Sequence, residues 1–138
     1  MSTSAGTDLP AVDDAVVVDV PARARSLRLL RMAVADAAAD LDMDLDTVES
    51  ARIAVDELAT LVLATATWSR LRVRINGLEG CLRVDGVPRG ADGEVSAVTA
   101  DRVVAELLAV CVDEYHVAED SSFWFTIDKG TAGVVGSQ

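Results

Sequence analysis

Histidine and cysteine are nearly missing from this sequence, with one His and two Cys in 138 residues. Cys81 and Cys111 show no Cys-x-x-Cys spacing, and with His116 as the lone imidazole no zinc-holding set is expected. Each cysteine sits among apolar neighbours and reads as a buried free thiol of a reducing compartment. No apolar run approaches the ~18 residues that cross a bilayer. Residues 1–13 contain neither a basic residue nor an apolar core, which excludes a secretory signal. Their Ser, Thr, Gly and Asp content reads as a disordered arm. A cytoplasmic protein without membrane contact is the expectation. Basic charge is also scarce. Lys and Arg total 12 against 23 Asp and Glu, a net charge of −11 that repels a phosphate backbone and disfavours direct nucleic-acid binding.

What is present fits one globular domain with a proper core, placed here at 14–129 and followed by a flexible tail at 130–138. Ala15 to Val20 is a β-rich run closed by Pro21. Over residues 22–41 the period changes. Leu27, Leu30, Val34, Ala38 and Leu41 form one face of an amphipathic helix. Asp44 or Asp46 then caps a second helix over about Thr47–Ala66, whose stripe is Val48, Ala51, Val55, Leu58 and Val62. The segment Arg70-Leu71-Arg72-Val73-Arg74-Ile75 alternates strictly, sending three arginines to one side. Asn76-Gly77 begins a turn, Gly80 closes it, and residues 81–85 return as the partner strand. A hairpin that is wet on one side implies that helices cover only the other.

Gly86, Pro88, Gly90 and Gly93 mark a loop over 86–98. Thr99 or Asp101 caps a third helix that buries Val104, Leu107, Leu108, Cys111 and Tyr115. Phe123 to Ile127 forms the last strand. Trp68 and Trp124 read as packing residues, and His116 as structural. Arg70, Arg72, Arg74 and Arg83 form a solvated basic face with local ion pairs. The order suggests an α+β two-layer sandwich, with helices on one face of a mixed, mostly antiparallel sheet.

Three segments in this order, Leu30 to Asp42, Ala51 to Thr60 and Val112 to Val117, resemble the anti-sigma regulatory factors (serine-protein kinases) of the GHKL, or histidine kinase-like, ATPase superfamily. The resemblance spans roughly Val16 to Lys129. It implies a GHKL-type α/β sandwich that dimerises and holds a sigma factor away from RNA polymerase. In active members the same domain binds Mg-ATP and phosphorylates a serine of an anti-anti-sigma protein. By the same resemblance Arg31 matches a partner-contacting arginine, Glu57 the catalytic glutamate of the N box, and Asp85 the adenine-reading aspartate of the first glycine box.

The sequence departs from that pattern at the nucleotide elements. Leu61 stands where the N box has a metal-holding asparagine, and leucine has no lone pair for Mg²⁺. The glycine spacing after Asp85 is wrong, Pro88 stiffens the loop, and Glu94 to Arg102 lacks glycine altogether. The expectation is a binding protein with a degenerate ATP site, a vestigial Glu57, no cofactor and no metal. Its expected partners are a sigma factor, an anti-anti-sigma protein and a second copy of itself. The alternative is an active ATP-dependent serine-protein kinase. Arg31 borders the apolar stripe of its helix, so its stem is expected on apolar surface with its head in water; the alternative is a surface residue paired with Asp36 or another acid. A charge reversal there is expected to spare the fold.

Overall fold

The computed structural model describes residues 14–128, so the arms expected at 1–13 and 130–138 lie outside the described residues. Strands β1 (Val16–Pro21), β2 (Arg70–Leu78), β3 (Cys81–Arg89), β4 (Glu114–Val117) and β5 (Phe123–Asp128) form one sheet in the order β1-β2-β3-β5-β4. Helices α1 (Leu27–Asp40), α2 (Leu45–Leu63) and α3 (Arg102–Cys111) pack on one face of it. Among the described residues no helix is long and apolar enough to cross a membrane.

The two-layer α+β arrangement agrees with the sequence, but the sheet is antiparallel in all four pairings rather than mixed. Connectivity explains this. A single crossover helix returns the chain for a parallel strand, whereas α1 and α2 run out and back, so β2 enters antiparallel to β1. β3 and β4 do run parallel, joined by α3, but β5 lies between them and pairs antiparallel with both.

The period-2 pattern sorts the two faces of the sheet. Val20, Leu71, Val73, Ile75, Leu82, Val84, Phe123 and Phe125 are buried against the helices. Helix α2 is central, between α1 and α3. It therefore buries more than one stripe, adding Thr47, Ala54 and Ala59 to Ala51, Val55, Leu58 and Val62. Asp44, not Asp46, is its N-cap and accepts from the Thr47 N–H at 2.8 Å. That bond holds the Asp44 carboxyl below the usual carboxylate range. Asp101 caps α3 in the same way through the Val104 N–H.

Three expectations need correction. The hairpin turns at Glu79-Gly80, both at positive φ, rather than at Asn76-Gly77. Gly77 instead lies inside β2, where a Cβ would come within 2.8 Å of the Leu41 side chain. The loop begins four residues late, because β3 continues through Gly86 and Pro88 to Arg89. A Cβ at Gly86 would overlap the Phe123 ring, so glycine is there to seat that ring. Pro88 is tolerated because β5 has already ended beside Gly86, leaving β3 an edge on that side.

The third expected helix was carried too far. It stops at Cys111, Val112 turns extended, and Glu114-Tyr115-His116-Val117 becomes the edge strand β4. The segment's β-branched and aromatic residues favour a strand, and Tyr115 pairs with Phe125 instead of lying on a helix face.

Candidate functional site

Helix α1 presents Arg31 to α2, where its Nη1 donates to Asp56 Oδ1 at 2.6 Å. The two side chains are 34% and 32% exposed, a half-buried ion pair that ties the helices together. The sequence left this head either free in water for a partner or paired with an acid such as Asp36. Sequence reasoning missed Asp56 because a pair separated by 25 positions depends on the packing register of two helices, not on a local motif. One nitrogen fork of the guanidinium is thus committed, and the outer edge remains open to solvent. On the outer side of α1, Leu29 at 54% and Met32 at 58% exposure stand off the buried stripe with Arg25 and Arg28 exposed beside them. Their positions outside the i, i+3, i+7 series were the available signal.

One residue after Asp56, Glu57 is half-buried and turns toward α3 rather than α1. Its charge, added to burial as the larger cause, pushes the Cys111 thiol up, while a hydrogen bond with Ser50 opposes the shift. Leu61, one turn further along α2, packs against the hydrophobic core. Asp85 lies in the middle of β3 on the face opposite the helices, with its carboxylate held by Arg83 at 3.0 Å. The sheet therefore separates Asp85 from Glu57, and the structure does not bring these two candidates together. Asp85 was read as a strand end because the added length of β3 was not visible from glycine and proline content.

The loop leaving β3 is pinned rather than open. Asp92 bridges to Thr67, and Ser96 donates through both its N–H and its hydroxyl to the Thr65 carbonyl, at 2.7 and 3.0 Å. Thr65 itself is buried. Its hydroxyl donates to the Val62 carbonyl at 2.7 Å, lies 2.8 Å from the Ser121 hydroxyl and accepts from the Trp68 indole N–H at 3.1 Å. This small polar node joins the end of α2, the β4–β5 loop and the long loop. Leu61 offers no oxygen, Asp85 lies across the sheet, and the segment before α3 is tethered through Ser96 to Thr65, just beyond α2. The residues do not fit a Mg-nucleotide.

Among the described residues no element packs on the outer face of the sheet. Arg70 donates to Asp19 at 2.8 Å and Arg89 reaches the same carboxylate at 3.2 Å. The Arg70 hydrogen bond is the main reason that Asp19 titrates below its ordinary range. Arg83 binds Asp85 and stacks over the Trp124 ring, 4.5 Å from its centroid. His116 is exposed on β4 beside Trp124, and Trp68 is half-buried through its indole bonds. Cys111 is buried, but Cys81 is only half-buried on this outer face, and both are free.

No family model matches the chain, and no curated protein matches it.

Proposed function

We propose that this chain is an anti-sigma-factor-like regulatory protein of GHKL type. It sequesters a sigma factor in the cytoplasm by stoichiometric contact through α1, and no longer uses ATP. The observation that carries the contact is the outer side of α1. There Leu29 and Met32 are more than half exposed on the side that carries Arg25 and Arg28, with Arg31 at its margin toward α2. Apolar anchors ringed by arginine have the composition of a protein interface centre. The order of strands and helices, with β4 and β5 following α3, is compatible with the sandwich that the resemblance implies.

The alternative of an active serine kinase draws no support from the site. Glu57 has no oxygen ligand at Leu61 beside it, and Asp85 is on the far face of the sheet. The domain acts as a homodimer in this reading, a point that rests on the resemblance alone. Sedimentation equilibrium at tens of micromolar should return twice the monomer mass, and a monomer would remove that part.

The test of the function is affinity capture from the native cell extract read by mass spectrometry, run in parallel with Leu29→Asp/Met32→Asp. A sigma factor or its antagonist should be enriched by the parent and lost by the variant while both retain the same melting curve. Capture of neither class, or equal capture by the variant, overturns the reading.

A further inference from the structure

Arg70, Arg72 and Arg74 occupy alternate positions of β2 and all point to the outer face of the sheet. At about 3.3 Å per residue the row spans roughly 13 Å. On the neighbouring strand Arg89 stands directly opposite Arg70, and Arg83 and Asp85 lie on the same side. On β1–β3 this face thus carries five arginines against two acids, Asp19 and Asp85, in a chain whose net charge is −11.

Both acids are already engaged. Asp19 bridges Arg70 and Arg89, and Asp85 is held by Arg83. Arg72 and Arg74 form no ion pair among the described residues, although Arg72 faces Asp19 and Arg74 faces Asp85 in the ladders. Like charges packed along one strand and across to the next destabilise a sheet unless something neutralises them. Val17, 45% exposed, and Val87, 42% exposed, sit between the arginines and supply apolar contact.

We propose that the Arg72–Arg74 row is a docking surface for a short acidic segment of a protein partner. This surface lies across the sheet from the helices and does not depend on the function proposed for α1. Complementary charge identifies the occupant. Carboxylates match the planar forks of two arginines that form no ion pair among the described residues. The chain's overall negative field is screened beyond about 8–10 Å at physiological salt, so the local patch governs contact. Size separates this occupant from nucleic acid. The row is far shorter than a duplex footprint, and the same face turns acidic toward Glu114 on β4 and Asp128 on β5. A second copy laid on the row would have to present acids of its own.

The probe is a fluorescein-labelled twelve-residue peptide of alternating Glu and Val. A Lys/Val peptide and a single-stranded oligonucleotide of equal charge serve as controls, and anisotropy is read at 50 and 300 mM salt. Saturable binding of the acidic peptide alone is expected, weakening with salt. Arg72→Glu/Arg74→Glu should weaken it at least tenfold, and Arg102→Gln on α3, in the other layer, should leave it unchanged. Because Arg72 faces Asp19 and Arg74 faces Asp85, the reversal sets like charges opposite each other and its fold is checked before its affinity is read. If its circular dichroism differs from the parent, Arg72→Gln/Arg74→Gln is read instead, with a smaller loss expected. No saturable binding, equal loss in Arg102→Gln or tighter binding of the oligonucleotide overturns the proposal. So does a concentration-dependent dimer abolished by the reversal with peptide affinity unchanged, which would assign the row to a second copy.

Discussion

Reversing Arg31 to Glu tests whether this residue is a strut of the fold, a contact for partners, or both. In the structure the new carboxylate would face Asp56, whose Oδ1 now lies 2.6 Å from Arg31 Nη1. Both side chains are about one-third exposed, so solvent screens the pair and its loss costs about 0.5–1 kcal/mol. Two carboxylates some 4–5 Å apart at an effective dielectric of roughly 40–80 add about 1–2 kcal/mol of repulsion. The total, about 1.5–3 kcal/mol, lowers the melting temperature by roughly 5–12 °C for a domain of this size. The expectation that reversal would spare the fold is therefore withdrawn.

Arg31→Gln, which only deletes the pair, should fall by a few degrees. The swap Arg31→Glu/Asp56→Arg should recover most of the loss. At 1 M salt, where the screening length is about 3 Å, the deficit of Arg31→Glu should shrink. Scanning calorimetry at low and high salt checks all four proteins. If Arg31→Glu melts like the parent at low salt, or its deficit is untouched by salt, the ion pair carries none of the stability argued here. The swap also isolates function. A melt that recovers while partner capture does not assigns the outer edge of Arg31 to the partner.

Gly86→Ala should destabilise the domain by about 1–3 kcal/mol, because its methyl would overlap the Phe123 ring. Denaturant unfolding checks this, and Phe123→Leu in the same chain should make the change less costly. Asp44→Ala should weaken the start of α2, and the gap from the parent should depend on pH. A carboxylate whose pKa falls on folding stabilises the fold above its unfolded value, near 4, and loses that contribution as the pH drops through the folded value. Unfolding at pH 7 and pH 3 should therefore show a clear gap and then a diminished one. Titration calorimetry with Mg-ATP at millimolar concentration should give no saturable heat, since Leu61 supplies no ligand and Asp85 is across the sheet. A micromolar dissociation constant would revive the kinase reading.

Elements with a dominant local signal were legible in the sequence. The stripe Leu30, Val34, Ala38 is the buried face of α1, and Leu71, Val73, Ile75 is the buried face of β2, as their periods require. What failed depended on partners distant along the chain. Whether Gly86 and Pro88 belong to a loop or a strand depends on β2 continuing beside them to Arg70 and on a Phe123 ring that must be seated 37 positions later. Whether residues 114–117 extend a helix or form a strand depends on β5 offering a free edge. The site inherited the same blindness. Asp85 reads as a nucleotide-facing residue only if β3 stops just before it. Once β3 runs four residues further, alternation puts Asp85 on the outer face with Arg83. The alternation that was plain in β2 also sends Arg70, Arg72 and Arg74 outward, but not their fate. The β1 register sets Asp19 opposite Arg72, yet its carboxylate pairs diagonally with Arg70 and Arg89, a choice of side-chain direction that no spacing in the sequence encodes.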